Sequence, residues 1–280
     1  MDFLIVSDDA YAEPLKLAVR QIGKIYPDSK IFIYDWGLSP GVKSEVLQAF
    51  SEVHIEDWSD RIAQRKKRLR AGPKYALKSL LRGRNTAERH VFENVLIEKV
   101  ACLEDCLQRF DPERLCWIDA DVAPIARVDE LEHLDFDALF TIRPEEEICF
   151  DFNVCQVINV GVVVVGSNRA NRRRLVEHWL RETKATREYC REQTALTRLI
   201  ERHKGRSVFK QDNEFDLELE GTAIRVALRP CQTYNYNWIE RLLQDGVVSP
   251  RPKLLHFKGG RHQGDEFRQL CTDLEARGWI

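Results

Sequence analysis

Strand-length apolar runs and helix-spaced apolar positions take turns along the first sixty residues. Phe3 to Val6 is a short apolar run. Glu13 to Ile25 places apolar residues at helical spacing and stops before Pro27, and Ile31 to Tyr34 is a second run. Pro40, directly after Ser39, suits the first turn of a helix reaching about Phe50, and Val53 to Ile55 is a third strand. The resulting β-α-β-α-β order predicts an α/β fold built on a parallel sheet covered by helices.

The alternation lapses after Trp58. The basic stretch Arg65 to Arg70, Gly72-Pro73 and Gly83-Arg84-Asn85 read as a lid or acceptor-facing insertion over about 58–90. A long amphipathic helix is expected from about Arg89 to Gln108, followed by Pro112 and the strand Leu115 to Ile118. Val157 to Val165 is a β-branched strand carrying Asn159 and Gly161, and 171–202 reads as mainly helical. Beyond Gly205 come short strands, the polar aromatic loop Tyr234 to Trp238 and the tail Leu254-Leu255-His256-Phe257-Lys258-Gly259-Gly260, a C-terminal elaboration from about 205. At 280 residues, one large α/β domain with these additions is expected.

Chemistry is expected where Asp119 and Asp121 flank Ala120 directly after the Leu115 to Ile118 strand, because ligands of open α/β sheets bind outside the carboxyl ends of the strands. Such a pair can aim two carboxylates at one hard cation that bridges a diphosphate, or it can be two solvated turn acids. His256, Lys258 and Gly259 form a second candidate. An imidazole completes a Mn-like coordination set, the ammonium neutralises phosphate, and a glycine lets backbone N–H groups approach an oxyanion, although a histidine beside phenylalanine is often structural. At the end of the first strand, the acids and the aromatic ring of Ser7, Asp8, Asp9 and Tyr11 can bind a ribose or base, or Ser7 or Asp8 can merely cap the next helix.

A net charge of −2 with 31% charged residues gives no bulk electrostatic reason to expect nucleic acid as a partner. The N-terminus runs straight into a strand without the features of a signal peptide, and the apolar run Val160 to Val165 is too short to span a bilayer, so a cytoplasmic protein without a transmembrane segment is expected. Eight scattered cysteines without a CxxC pair read as reduced thiols, and Cys102 and Cys106 have no second pair with zinc-site spacing.

The ordered motifs S-D-D-A-Y, I-D-A-D, I-N-V-G-V, E-Q-T-A-L, Y-N-Y-N and H-F-K-G resemble the retaining glycosyltransferase family that contains glycogenin and the bacterial lipopolysaccharide galactosyltransferases (family 8). The resemblance implies a GT-A fold, a nucleotide-sugar donor, usually a UDP-sugar, and a Mn²⁺ (or Mg²⁺) cofactor. Asp119, Asp121 and His256 would bind the metal, and Lys258 and Gly259 would meet the diphosphate. Ser7, Asp8, Asp9 and Tyr11 would form the nucleotide segment, and Ala120, between the ligands, and Gly161, in the N-x-G strand, would also bind the nucleotide-sugar. Asn159 would face the donor sugar, Glu192 and Gln193 would lie near the reacting carbon, and Lys99 would sit against the donor. Glutamate at 192 replaces the family's aspartate, and Gly260-Arg261-His262-Gln263 replaces its Lys-Pro-Trp continuation.

The acceptor would be a glycan, a protein or a lipid-linked sugar. The basic run either attracts an anionic acceptor at a membrane surface or is a solvated helix face. Tyr234, Tyr236 and Trp238 either stack on sugar or pack in a core. The rival readings are a sugar-1-phosphate nucleotidyltransferase, disfavoured because Ser7 to Tyr11 is acidic and lacks glycine, and a carbohydrate-binding protein without turnover.

Overall fold

The computed structural model describes residues 1–148, 154, 157–246, 248–258 and 264–280. The first half alternates as its pattern predicts: β1 (Asp2–Ser7), α1 (Ala12–Ile25), β2 (Ile31–Asp35), α2 (Pro40–Ala49) and β3 (Val53–Asp57). Alternate residues of β1 enter different cores. Leu4 and Val6 pack on one face of the sheet, Phe3 and Ile5 on the other, which is why the strand is apolar at every position rather than at every second one.

Where an insertion is expected, three helices follow: α3 (Ser59–Ala71), α4 (Pro73–Arg82) and α5 (Arg84–Val95). Gly72-Pro73 starts α4 with proline in its first turn, and Gly83, at φ 83°, separates α4 from α5. The single helix expected over 89–108 is two, α5 and α6 (Ile97–Arg109), joined at Leu96. Strands β4 (Leu115–Asp119) and β5 (Val122–Pro124), α7 (Asp129–His133), β6 (Ala138–Ile142) and β7 (Ile158–Val165) come next. The helical stretch after them is also broken, into α8 (Arg169–Ala185) and α9 (Arg191–Lys204), with Cys190 at φ 46° before the second.

The chain ends with β8 (Glu214–Leu219), β9 (Thr222–Pro230), α10 (Cys231–Tyr234), α11 (Ile239–Asp245), β10 (Leu254–His256) and α12 (Gly264–Ala276). Eight strands form one sheet in the order β3-β2-β1-β4-β7-β6-β9-β8. β3, β2, β1 and β4 run parallel, and β7 runs antiparallel to both β4 and β6. β5 and β10 pair separately, antiparallel, with His256 opposite Val122. Tyr236 and Leu255 pack in a C-terminal cluster with Phe257, Phe267 and Trp279, while the Tyr234 hydroxyl donates to Glu130, so the aromatic loop is core packing. Cys102 and Cys106 are buried thiols in the sheet's main core. Among the described residues, no helix is long and apolar enough to cross a membrane.

Candidate functional site

Asp119 is the last residue of β4, and the next turn carries the chain into β5. Because β5 pairs with β10, His256 is brought beside Asp121, far from it in sequence. Phe257 N–H donates to Asp121 O at 2.8 Å, and His256 Nε2 stands 3.2 Å from Asp121 Oδ1. Asp119, Asp121 and His256 each present a ligand atom within 4.8 Å of the others. Asp121 is 9% exposed and His256 3%, so neither is an ordinary surface turn residue.

The tautomer of His256 follows from its neighbours. Asn159 O can only accept, and both Thr141 Oγ1 (2.6 Å) and Asn235 Nδ2 (3.4 Å) point at it. Asn235 Nδ2 also donates to Thr141 Oγ1 at 2.8 Å, so its Oδ1 must be the atom 2.6 Å from His256 Nδ1. Nδ1 therefore carries a proton, and Nε2 is the ring nitrogen that faces the Asp121 carboxylate. Across 3.2 Å Nε2 is either a protonated donor to that carboxylate or, once deprotonated, a lone pair that can share a cation with it. Two carboxylates and an imidazole, oriented by an amide behind it, are a donor set that fits a divalent ion of the Mn²⁺ or Mg²⁺ kind.

An irregularity in the sheet makes room for this histidine. β6 and β7 pair Phe140 with Val163 but Thr141 with Asn159, so residues 160–162 bulge from the ladder. Two side chains take up the freed backbone donors: Asn159 Oδ1 accepts from Gly161 N–H at 3.0 Å, and Gln193 Oε1, on the first turn of α9, accepts from Val160 N–H at 3.1 Å. With its oxygen so used, Gln193 offers its amide NH₂ as a donor. Gly161, expected at the nucleotide-sugar, lies against the His256 ring and gives it its seat.

Lys99 connects the ligands to a buried carboxyl. Its ammonium pairs with Asp119 Oδ1 and lies 5.3 Å from the centre of the Trp117 ring. Burial opposes its charge, but Asp119 and Glu192 outweigh that and hold Lys99 above the ordinary lysine value. Glu192 is pushed up to about 7, by burial first, with Lys99 pulling the other way; its Oε2 has no hydrogen-bond partner among the described residues. Burial also opposes ionisation of Asp121, yet His256 and then Lys99 keep it below the usual carboxylate range.

The remaining expected residues divide. Tyr11 is pushed up to about 12 by burial and then by Asp121 and Asp119, which places it beside the carboxylate pair. Lys258 is lowered by burial and by Arg143, and it feels the field of Asp119 and Asp121. Ala120 is a buried small residue between the two acids. Ser7 Oγ donates to Asp8 O at 3.2 Å, Asp8 caps a 3-10 turn through Ala10 N–H (3.1 Å), and Asp9 accepts from Ser39 N–H (2.7 Å) before α2. The Asp8 contact fits the capping alternative, and Asp8 keeps its second oxygen 4.0 Å from Lys66 Nζ of α3. Gly259, with Gly260 and Arg261, lies outside the described residues. Asn235 and Thr141 were not expected in the site; the signal for Asn235 was a polar residue between two aromatic ones, here fully buried.

No protein-family model and no curated protein matches this sequence. Solved structures match over nearly the whole chain. Galactosyltransferase LgtC, crystallised with donor and acceptor sugar analogues, superposes with a TM-score of 0.58 at 13% identity over 99% of this chain and 95% of its own. An active-site mutant of LgtC gives 0.54 at 14% identity over 99% and 96%. The bifunctional glycosyltransferase WbbM, in its apo form, gives 0.52 at 12% identity over 92% of this chain and 46% of its own. The chain therefore has the GT-A glycosyltransferase fold, with an α/β mixed sheet flanked by helices.

Proposed function

We propose that the protein is a metal-dependent glycosyltransferase that moves a sugar from a nucleotide-sugar donor, a UDP-sugar, to a glycan, protein or lipid-linked acceptor with retention of configuration. The observation that carries this reading is the convergence of Asp119, Asp121 and an oriented His256 at the carboxyl end of β4, on a GT-A fold. Nucleotidyl transfer is not favoured, because the segment after β1 is acidic, with Asp8 capping a 3-10 turn, and offers no glycine-rich phosphate loop.

A divalent cation, when bound, supplies charge neutralisation for the departing diphosphate. The chain's own residues do the rest. Lys258 adds a second positive charge on the leaving-group side, so charge developing as the sugar–phosphate bond breaks is met by groups already in place. Tyr11 borders the nucleotide. Gln193 and Asn159 stand on either side of the bulge, the first presenting amide donors toward the sugar. Glu192 and Lys99 sit behind, where Lys99 pairs with Asp119. The acceptor hydroxyl attacks from the face the diphosphate vacates, and its proton passes to the departing oxygen.

Calorimetric titration of UDP with and without Mn²⁺, on the parent and on Asp121→Ala, tests the reading. Micromolar binding that needs Mn²⁺ and disappears in the variant supports it. Absence of binding by UDP and other nucleoside diphosphates with metal present removes its foundation.

A further inference from the structure

Among the described residues, α4 differs from the other long helices in burying no residue. Its apolar side chains point to solvent: Leu77 is 56% exposed, Leu80 83% and Leu81 70%. At 100° per residue these three fall on one arc, and Lys74, Lys78 and Arg82, spaced four apart, form the adjoining stripe. Tyr75 lies on the opposite side and donates to Glu88 of α5, which fixes the helix with its leucines outward.

The charge around this helix has one sign. Residues 61–84 contain ten Lys and Arg and no Asp or Glu beyond Asp60. Some are used internally: Arg61 and Arg65 pair with buried Glu98, and Arg70 with Glu88. Among the described residues, Lys67, Arg68, Lys74, Lys78 and Arg82 have no carboxylate within ion-pair distance. An exposed leucine arc beside an unneutralised basic stripe fits a surface that is apolar just beneath an anionic layer. A protein partner would offer acids without that depth, and a nucleic acid would leave the leucines in water.

We propose that α4 docks the protein on an anionic lipid bilayer, with Leu77, Leu80 and Leu81 in the headgroup–acyl boundary and Lys74, Lys78 and Arg82 against lipid phosphates. Lys67 and Arg68 of α3 add to the attracting field. α3 also borders the crevice, through Lys66 beside Asp8, so a docked molecule holds its donor site near the lipid. Docking requires neither the metal ligands nor sugar transfer, and it stands or falls separately from the proposed reaction.

Vesicle flotation of the full chain provides the test, with phosphatidylcholine vesicles alone and with phosphatidylglycerol admixed. Three forms are compared: the parent, Leu77→Ser/Leu80→Ser/Leu81→Ser, and Lys74→Gln/Lys78→Gln/Arg82→Gln. α4 buries nothing, so both variants should keep the parent's melting temperature. Binding is expected only with the anionic lipid, falling roughly tenfold for each leucine removed and about fivefold for each charge removed. Tryptophan fluorescence of Leu80→Trp should shift to the blue on adding anionic vesicles and stay unchanged with neutral ones. Failure of the parent to float overturns the proposal. So does flotation that survives the leucine changes, or a salt-sensitive affinity for duplex DNA in place of vesicles, which would make the patch a plain polyanion site. A dimer in sedimentation velocity that the leucine variant dissociates, without flotation of the parent, would assign the face to a second copy and also overturn it.

Discussion

Gly161 lies directly against the imidazole of His256: a β carbon at position 161 would fall 2.6 Å from Cε1 and 2.8 Å from Nδ1. Gly161→Ala must therefore push the ring off its bond to Asn235. An affinity for Mn²⁺ some 10- to 100-fold weaker is expected by calorimetry. The overpacking itself should cost about 1–3 kcal/mol of stability. Full Mn²⁺ affinity in a folded Gly161→Ala protein would show that His256 is no ligand.

Asn235 acts through the histidine. Asn235→Leu removes the acceptor that keeps the proton on Nδ1 and leaves Thr141 Oγ1 without the donor it accepts from. Mn²⁺ affinity should drop about tenfold or more, whereas Asn235→Asp, which keeps an acceptor facing Nδ1, should retain most of it. Equal losses in the two variants would point to packing rather than tautomer control.

Metal addition should itself stabilise the fold. At about a hundred times Kd, Mn²⁺ should add about 2.7 kcal/mol, raising the melting temperature by several degrees, and EDTA should reverse the effect. Asp119→Ala and Asp121→Ala should not respond. A parent melting curve indifferent to Mn²⁺ and Mg²⁺ would count against the donor set.

Glu192 makes stability depend on pH in a definite direction. Its carboxyl ordinarily titrates near 4.5 and in the fold near 7, so between those values the folded chain holds a proton that the unfolded chain releases. Stability falls as pH rises from about 4.5 to about 7 and levels off above that, by an amount on the order of 3 kcal/mol. Glu192→Gln should match the parent near pH 4.5 and exceed it at pH 8, as measured by denaturant unfolding. A Gln variant that tracks the parent at both pH values would place Glu192 in water instead.

Gln193 holds the bulge that seats His256. Gln193→Leu leaves Val160 N–H without its acceptor and should cost about 1–3 kcal/mol, while Gln193→Glu keeps an acceptor and should cost little. Loss of transfer in Gln193→Glu with stability intact would separate the amide donors' part in the reaction from the bulge's part in the fold.

Much of the frame was legible in the sequence because apolar periodicity reports local structure. The order β1-α1-β2-α2-β3 and the position of Asp119 at a strand end follow from runs only a few residues long. The breaks at Leu96 and before Cys190 were not legible. Leu96 keeps helical dihedrals, so the turn from α5 to α6 needs no glycine or proline to mark it, and Cys190 adopts a left-handed conformation that its side chain does not advertise. In the site, the acids were legible from their spacing and His256 from an ordered set of motifs. Asn235 and the seating role of Gly161 depend on the pairing of β5 with β10 and on the bulge in β7, contacts between residues far apart in sequence that periodicity does not encode.

The β5–β10 ribbon has a consequence for biosynthesis. Every strand of the eight-stranded sheet lies before residue 231, so a nascent chain that has emerged only through β9 already holds all the material of that sheet. It has two of the three ligands and nothing to bring a third. On the proposed reading, cation capture would wait for a chain that extends through β10, and clipping ahead of Leu254 should silence the molecule while leaving its main scaffold standing.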